Sequence, residues 1–275
     1  MRRLTPLLLL LVLAACATTT PTTPAVAPCN SGLTLVNATL YVRSSAEFRA
    51  NATQTFAAAR RALDEALADR TRVGALEETN ADPSQPPALI VDMDETVLDN
   101  TMFEERVIAK GTTYDETMWK EWTKEGAATA IPGAQEFLTY AQSRGVTVFY
   151  ITNRDEDERA GTLANIRKLA YPIDDAGANL MLRENKESDK SARRQRVADQ
   201  YRILLMAGDD LNDFVNLRRA PWQERDQFIT DRKDWWGTRW FMIANPMYGS
   251  FENAAIGSGG TDCEKLERKL NALKP

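Results

Sequence analysis

Apolar positions recur along this chain with two periods. From Asn37 to about Asp69, Leu40, Phe48, Phe56, Ala59, Leu63, Ala66 and Leu67 fall at helical spacing, which predicts one or two amphipathic helices. The polar, proline-rich segment Thr79 to Pro87 then breaks the pattern as a linker. Beyond it the apolar residues come as short runs: Ala88 to Val91, Val146 to Ile151, Asn179 to Leu182 and Arg202 to Ala207. Such runs, alternating with helical patterns over Ala134–Arg144 and Asp157–Ala170, predict strands of a parallel sheet buried on both faces. Trp235 to Ala244 is partly a further strand, and Cys263 to Leu273 a short charged helix. The predicted class is α/β around a central parallel sheet. One connection is longer than a crossover needs. Thr101 to Ile131 carries Met102, Phe103, Tyr114, Met118, Trp119 and Trp122, and predicts a small cap over the carboxyl end of the first strand.

Candidate chemistry sits where these strands end. The first delivers Asp92 and Asp94, in D-M-D-E-T, to its carboxyl end, where ligands bind in open α/β sheets. The second ends in Thr152-Asn153-Arg154, a hydroxyl and a cation beside the same place. Lys190 opens the helix leading to the strand Arg202–Ala207, which ends in G-D-D-L-N-D, with Asp209, Asp210 and Asp213. Singly, each aspartate could equally form a turn or cap a helix. Together, more than a hundred residues apart in sequence but on neighbouring strands, they would repel one another unless a cation neutralised them. Trp119 and Trp122, three apart, either face a core as helix neighbours or line a substrate pocket.

Composition narrows the chemistry. The 275 residues include no histidine, which excludes His-based phosphatases, Ser-His-Asp hydrolases and His-ligated zinc or iron. A metal here would be held by oxygen ligands, which favours a hard ion such as Mg²⁺. The formal charge of -5 argues against a partner such as polymeric nucleic acid. The opening M-R-R and the apolar run Leu7 to Ala15 predict an export signal over residues 1–15, too short to span a bilayer as a mature helix. Leu13-Ala14-Ala15-Cys16 resembles the lipobox of bacterial lipoproteins, implying lipidation at Cys16 and a membrane anchor, with Ala17 compatible with sorting to an outer membrane. Residues 16–34 then form the lipidated cysteine and a flexible Thr/Pro tether, and 35–275 the folded domain, with helices over 35–78 and the cap over 101–131. An oxidising exterior would let Cys29 and Cys263 pair, although the sequence alone does not bring the two ends together.

The order D-x-D-x-T, strand-end Thr, Lys, then G-D-D-x-x-D resembles the haloacid dehalogenase superfamily, whose Rossmannoid core matches the predicted sheet. The longer strings V-D-M-D-E-T-V-L-D-N, W-x-x-W, P-G-A-x-E-F, Y-I-T-N-R, K-S-x-R-R, G-D-D-L-N-D-F and N-P-M-Y-G-S are similar to those of class C bacterial acid phosphatases, which are secreted lipoproteins. The similarity runs from about residue 35 to about 253. It implies a Mg²⁺-dependent phosphomonoesterase in which Asp92 is the nucleophile and Asp94 the general acid and base. Thr152 and Lys190 would bind phosphoryl oxygens. Asp92, the main-chain carbonyl of Asp94 and Asp209 would hold the metal, with Asp213 either a further ligand or a group just behind the ligands. Trp119 and Tyr248, with Trp122, Asn153 and Arg154 nearby, would bind the leaving group, 5′-nucleotides being the favoured substrates. Asp210, where the commoner string has Asn, would add negative charge near the metal. Two other functions fit the same residues: a narrow-range phosphatase or phosphotransferase, and a non-catalytic surface lipoprotein with a binding role.

Overall fold

The computed structural model describes residues 29–79 and 82–274; the predicted export signal, the lipobox with Cys16 and most of the tether lie outside the described residues. In chain order the elements are α1 (Val36–Ser44), α2 (Ala46–Ala68), β1 (Pro87–Val91), β2 (Leu98–Asp99), α3 (Thr101–Lys110), α4 (Glu116–Glu125), β3 (Thr129–Ala130), α5 (Ala134–Ser143) and β4 (Thr147–Ile151). There follow α6 (Arg159–Lys168), β5 (Leu180–Met181), α7 (Ser191–Ala198), β6 (Arg202–Gly208), α8 (Trp222–Asp231), β7 (Trp240–Met242), α9 (Ser250–Ile256) and α10 (Asp262–Ala272). Five strands form one parallel sheet in the order β5-β4-β1-β6-β7.

β1 lies at the centre because its side chains suit burial on both faces. Leu89 and Val91 point into a core with Phe48, Phe56 and Leu63 of α2 and Phe137 and Leu138 of α5, the Phe56 and Phe137 rings 5.7 Å apart. Ala88 and Ile90 point the other way, toward Val197 of α7, Phe214 and Trp240. The predicted amphipathic helices thus cover one face of the sheet. With β4 on one side and β6 on the other, the carboxyl end of β1 is enclosed by both neighbours' ends. The charged segment expected over Lys186–Arg196 becomes helical only from Ser191, leaving Lys190 at the N-cap of α7. α8 and α9 were not anticipated; α8 buries no residue fully, so it offers little apolar period to read.

The cap is α3, α4 and the short antiparallel pair β2–β3, in which Leu98 faces Ala130. Two contacts fix it to α6. Asn165, buried, accepts from the Ala128 amide at 3.0 Å and donates to the Ala128 carbonyl at 2.9 Å. Gly161 lets the α4 backbone approach so closely that a Cβ there would sit 2.2 Å from the Thr123 carbonyl oxygen. On the other side, a disulfide joins Cys29 to Cys263 on α10, with Cα atoms 5.8 Å apart. Next to it, the Asp262 carboxylate accepts from Ser31 Oγ at 3.1 Å and Thr113 Oγ1 at 2.8 Å, so the start of the described chain, the cap and α10 meet at one point. Gly161→Ala is expected to destabilise the fold by ~1–3 kcal/mol, the usual cost of overpacking, read as a lowered thermal midpoint; an unchanged midpoint would show that α4 does not need this close approach.

Candidate active site

The chain turns sharply after β1. The Asp92 amide still continues the sheet, donating to the Ala207 carbonyl at 3.0 Å, but Glu95 takes a left-handed conformation (φ 60°) and the Leu98 amide folds back to the Met93 carbonyl at 2.8 Å. The buried Glu95 carboxylate closes this turn by accepting from the Asn100 amide at 3.0 Å. Asp92 and Asp94, two residues apart, are thereby displayed at the sheet's carboxyl edge.

Asp92 meets residues from β6 and α7. Oxygen atoms of Asp92, Asp209 and Asp213 all lie within 4.8 Å of one another. The buried Lys190 ammonium donates to Asp92 Oδ1 and, at 2.7 Å, to Asp213 Oδ1. Thr96 donates to Asp209 Oδ1 at 3.1 Å and to Asp92 Oδ2 at 3.3 Å, and Asn245 donates to Asp209 Oδ2 at 2.9 Å. Arg194 grips the Asp213 carbonyl at 3.0 Å while its other nitrogens hold Glu77. Gly208 leaves the room this needs, since a Cβ on it would lie 2.4 Å from Asp213 Oδ2. Burial drives the Asp209 carboxyl well above the usual range, and Asp213 and Asp92 push it the same way. Asp213 is pushed up to about 7 by burial, despite Lys190 beside it. Burial alone would lower the Lys190 ammonium, yet Asp213 and Asp92 hold it above its ordinary value. An all-oxygen, mutually repelling set of this kind fits a hard divalent cation, and the three carboxylates could hold one.

Asp94 faces a different partner. Arg154, almost fully buried, donates Nη2 to Asp94 Oδ1 at 2.6 Å and Nε to both oxygens at 3.1–3.2 Å, and Asn100 Nδ2 adds a bond to Oδ1 at 3.0 Å. Three bonds thus converge on Oδ1 and one on Oδ2. The side chain of Asp94 is held by a guanidinium, apart from the three-carboxylate cluster. Trp122 is not a pocket residue: it is 1% exposed, and its indole donates to Asn100 Oδ1 at 2.8 Å, orienting the amide that holds Asp94. Arg154, expected to bind substrate, is committed to Asp94 and to Thr162, although its side chain does line the cavity. Thr152 is fully buried at the end of β4, its Oγ1 accepting from the Arg154 amide at 3.2 Å. Arg193 fixes that strand end through the Thr152 carbonyl and Asn153 Oδ1, at 2.5 and 2.8 Å.

These groups open into a cavity of about 530 Å³, walled by the cap and by the segments around β7, α9 and α10. Asp92, Asp94, Lys190, Asp209 and Asp213 line it, and so do Asn153, Trp119 and Tyr248. Asp210 does not join the three-carboxylate cluster. Its carboxylate caps the turn at Asn212 and accepts from the Ser250 amide and hydroxyl, both at 2.5 Å, tying the Tyr248 segment to the end of β6. Thr96, Asn100, Asn245 and Arg194 had no role assigned from sequence; Thr96, the threonine of D-x-D-x-T, was the most accessible of them.

A model of the HAD superfamily, subfamily IIIB (acid phosphatase), matches residues 22–251. The chain belongs to that family. The class C acid phosphatase of Bacillus anthracis superposes with a TM-score of 0.79 at 29% identity, covering 90% of this chain and 98% of that one. A structure of the Bacillus anthracis enzyme with tungstate bound superposes equally well, over 89% of this chain. Plant relatives match over a shorter span of this chain, 58% of it in both cases. The 31 kDa stem glycoprotein of Glycine max is 28% identical over 166 residues, and acid phosphatase 1 of Solanum lycopersicum 25% identical over 166. The chain spans 58% and 57% of the length of these two relatives.

The raised carboxyls of this acid phosphatase family site give a signed expectation. Without a cation, Asp213 binds more protons folded than unfolded, so stability falls as pH rises from ~4 through about 7. Chelator-treated protein is expected to melt lower at pH 8 than at pH 5, and added divalent cation to raise the midpoint more at pH 8. An equal rise at both pH values would contradict a cation site built from these carboxylates.

Proposed function

We propose that this chain is a Mg²⁺-dependent acid phosphatase that hydrolyses phosphomonoesters, 5′-nucleotides among them, through an aspartyl-phosphate intermediate. The observation that carries this reading is the pairing of an Asp92 held by Lys190 with an Asp94 held by Arg154, at one end of one cavity, in a chain of the acid phosphatase family. Tungstate, a tetrahedral oxyanion like phosphate, binds the Bacillus anthracis relative, which adds support.

Asp92 attacks phosphorus, a P–O bond forms to its carboxylate, and the bond to the leaving oxygen breaks. Asp94 gives that oxygen a proton; Oδ2, the less engaged of its two oxygens, is suited to carry it. Asp94 then takes a proton from the water that attacks the phosphorus of the intermediate and releases phosphate, a role worth ~10²- to 10⁴-fold. Lys190 lies against the attacking carboxylate and neutralises charge on the phosphoryl oxygens, with Thr152 completing their binding. Asp92, Asp209, Asp213 and the Asp94 main-chain carbonyl would hold Mg²⁺, which shields the approach of a dianionic phosphate to an anionic nucleophile. Trp119 and Tyr248 offer flat surfaces to the leaving group. The lipobox supports export and an anchor at Cys16 to an outer membrane, the tether holding the catalytic domain off the lipid.

Phosphate release from 5′-AMP and p-nitrophenyl phosphate by the full chain tests this. Asp92→Asn is expected to lower kcat by ~10⁴-fold or more and Asp94→Asn by ~10²- to 10⁴-fold, with wild-type release abolished by chelator and the activity sedimenting with membranes until Cys16 is replaced by Ala. Undiminished turnover by Asp92→Asn would sink the reading.

A further inference from the structure

Most polar groups around the cavity are satisfied within the chain. Asp94 is held by Arg154 and Asn100, Asp210 by Ser250 and Asn212, Asp262 by Ser31 and Thr113, and Arg183 pairs with Asp155 at 2.7 Å. Glu104, on α3 in the cap, differs from all of these. It lines the same cavity while only 4% exposed, and among the described residues nothing donates a hydrogen bond to its carboxyl. The adjacent cation on its own helix, Arg106, is engaged by Glu125 at 2.6 Å, and the adjacent Glu105 by Arg43 at 3.2 Å. Burial, with no cation to offset it, pushes the Glu104 carboxyl up to about 7.

Apart from Thr113, which bonds Asp262, the cavity wall supplied by the cap is otherwise aromatic. Phe103 meets Trp119 edge-on at 5.0 Å between centroids, and Tyr114 lies 6.4 Å from each of them. Trp119 already accepts a cation over its ring, the Arg154 guanidinium at 5.5 Å, while Tyr114 is 61% exposed. Tyr248 adds a fourth ring to the lining. Aromatic faces and a carboxylate without a partner attract the same kind of group, a positive charge with apolar substituents. They repel a second phosphate.

We propose that Glu104 and the cap aromatics form a subsite for the alcohol portion of the substrate, and that Glu104 selects phosphomonoesters whose alcohol carries a protonated amine or a quaternary ammonium. This rests on the phosphatase reading and names a substrate class for it. Glu104 is a specificity residue here: it meets the far end of the leaving group, while Asp92 and Asp94 act on the phosphate.

The test compares two substrates of one shape. Phosphocholine carries a quaternary nitrogen; 3,3-dimethylbutyl phosphate has carbon in its place and no charge. p-Nitrophenyl phosphate serves as the reference, and the full chain is supplied with Mg²⁺ at a pH above the raised Glu104 value, so that its carboxyl is ionised. With the reference hydrolysed, the kcat/KM ratio of phosphocholine to its neutral isostere is expected to be about tenfold, equivalent to ~1.4 kcal/mol of discrimination. The ratio is expected to fall severalfold in Glu104→Gln, which keeps size and hydrogen bonding but not charge. Because the ratio is internal to each protein, loss of folded material cancels from it, and the wild-type ratio stands even without the variant. A wild-type ratio near one, no turnover of phosphocholine, or a ratio unchanged in Glu104→Gln overturns the subsite while leaving the phosphatase intact. No hydrolysis of the reference overturns the phosphatase reading first, and the subsite with it.

Discussion

Three carboxylates, Asp92 and Asp213 buried and Asp209 half-buried, repel one another in so small a volume unless positive charge is near, and the rest of this structure is arranged to supply it. Asp92, Asp209 and Asp213 offer oxygens within 4.8 Å of one another, and the chain brings a single lysine, Lys190, into contact with two of them. Positioning that lysine requires α7 to start one residue later, with Arg194 one turn along holding both Glu77 and the Asp213 carbonyl. Thr96 and Asn245 then complete the bonding of Asp209. One resident cation for three carboxylates leaves charge unbalanced, which is the physical reason for assigning a divalent ion to the site.

The two aspartates of D-M-D are set apart by their neighbours. Asp92 faces the lysine and the carboxylate cluster; Asp94 faces Arg154 and Asn100. Asn100 is in turn held by Trp122, so a tryptophan in the interior of the cap steers a carboxylate at the end of a strand. The cap therefore orients a side chain at the strand end as well as walling the pocket. It carries Trp119 and Tyr114 in the cavity wall and, at Glu104, a buried acid apart from Asp92 and Asp94.

Much of this was legible in the sequence because short apolar runs followed by acids have few structural solutions. The parallel sheet, the helices before it, the cap, and the meeting of Asp92, Lys190, Asp209 and Asp213 follow from strand ends that a parallel sheet must bring together. What could not be read depends on contacts between distant segments. Trp119 and Trp122 share a helical spacing, yet only docking of α4 on α6 and Asn100 decides that one ring lines the cavity and the other is buried. Three aspartates in G-D-D-L-N-D look alike until Ser250 claims Asp210. Cys29 and Cys263, 234 residues apart, meet because α10 docks beside the start of the described chain, which no local pattern foretells.

The central claim is that Asp92 becomes covalently phosphorylated, and the most direct measurement is to trap that species. Borohydride reduces an acyl phosphate to an alcohol, so quenching the enzyme during turnover and mapping its peptides by mass spectrometry is expected to find homoserine at position 92. The modification should depend on substrate and be abolished by chelator. Homoserine at another aspartate, or no reduction at Asp92 while phosphate is being released, would contradict it.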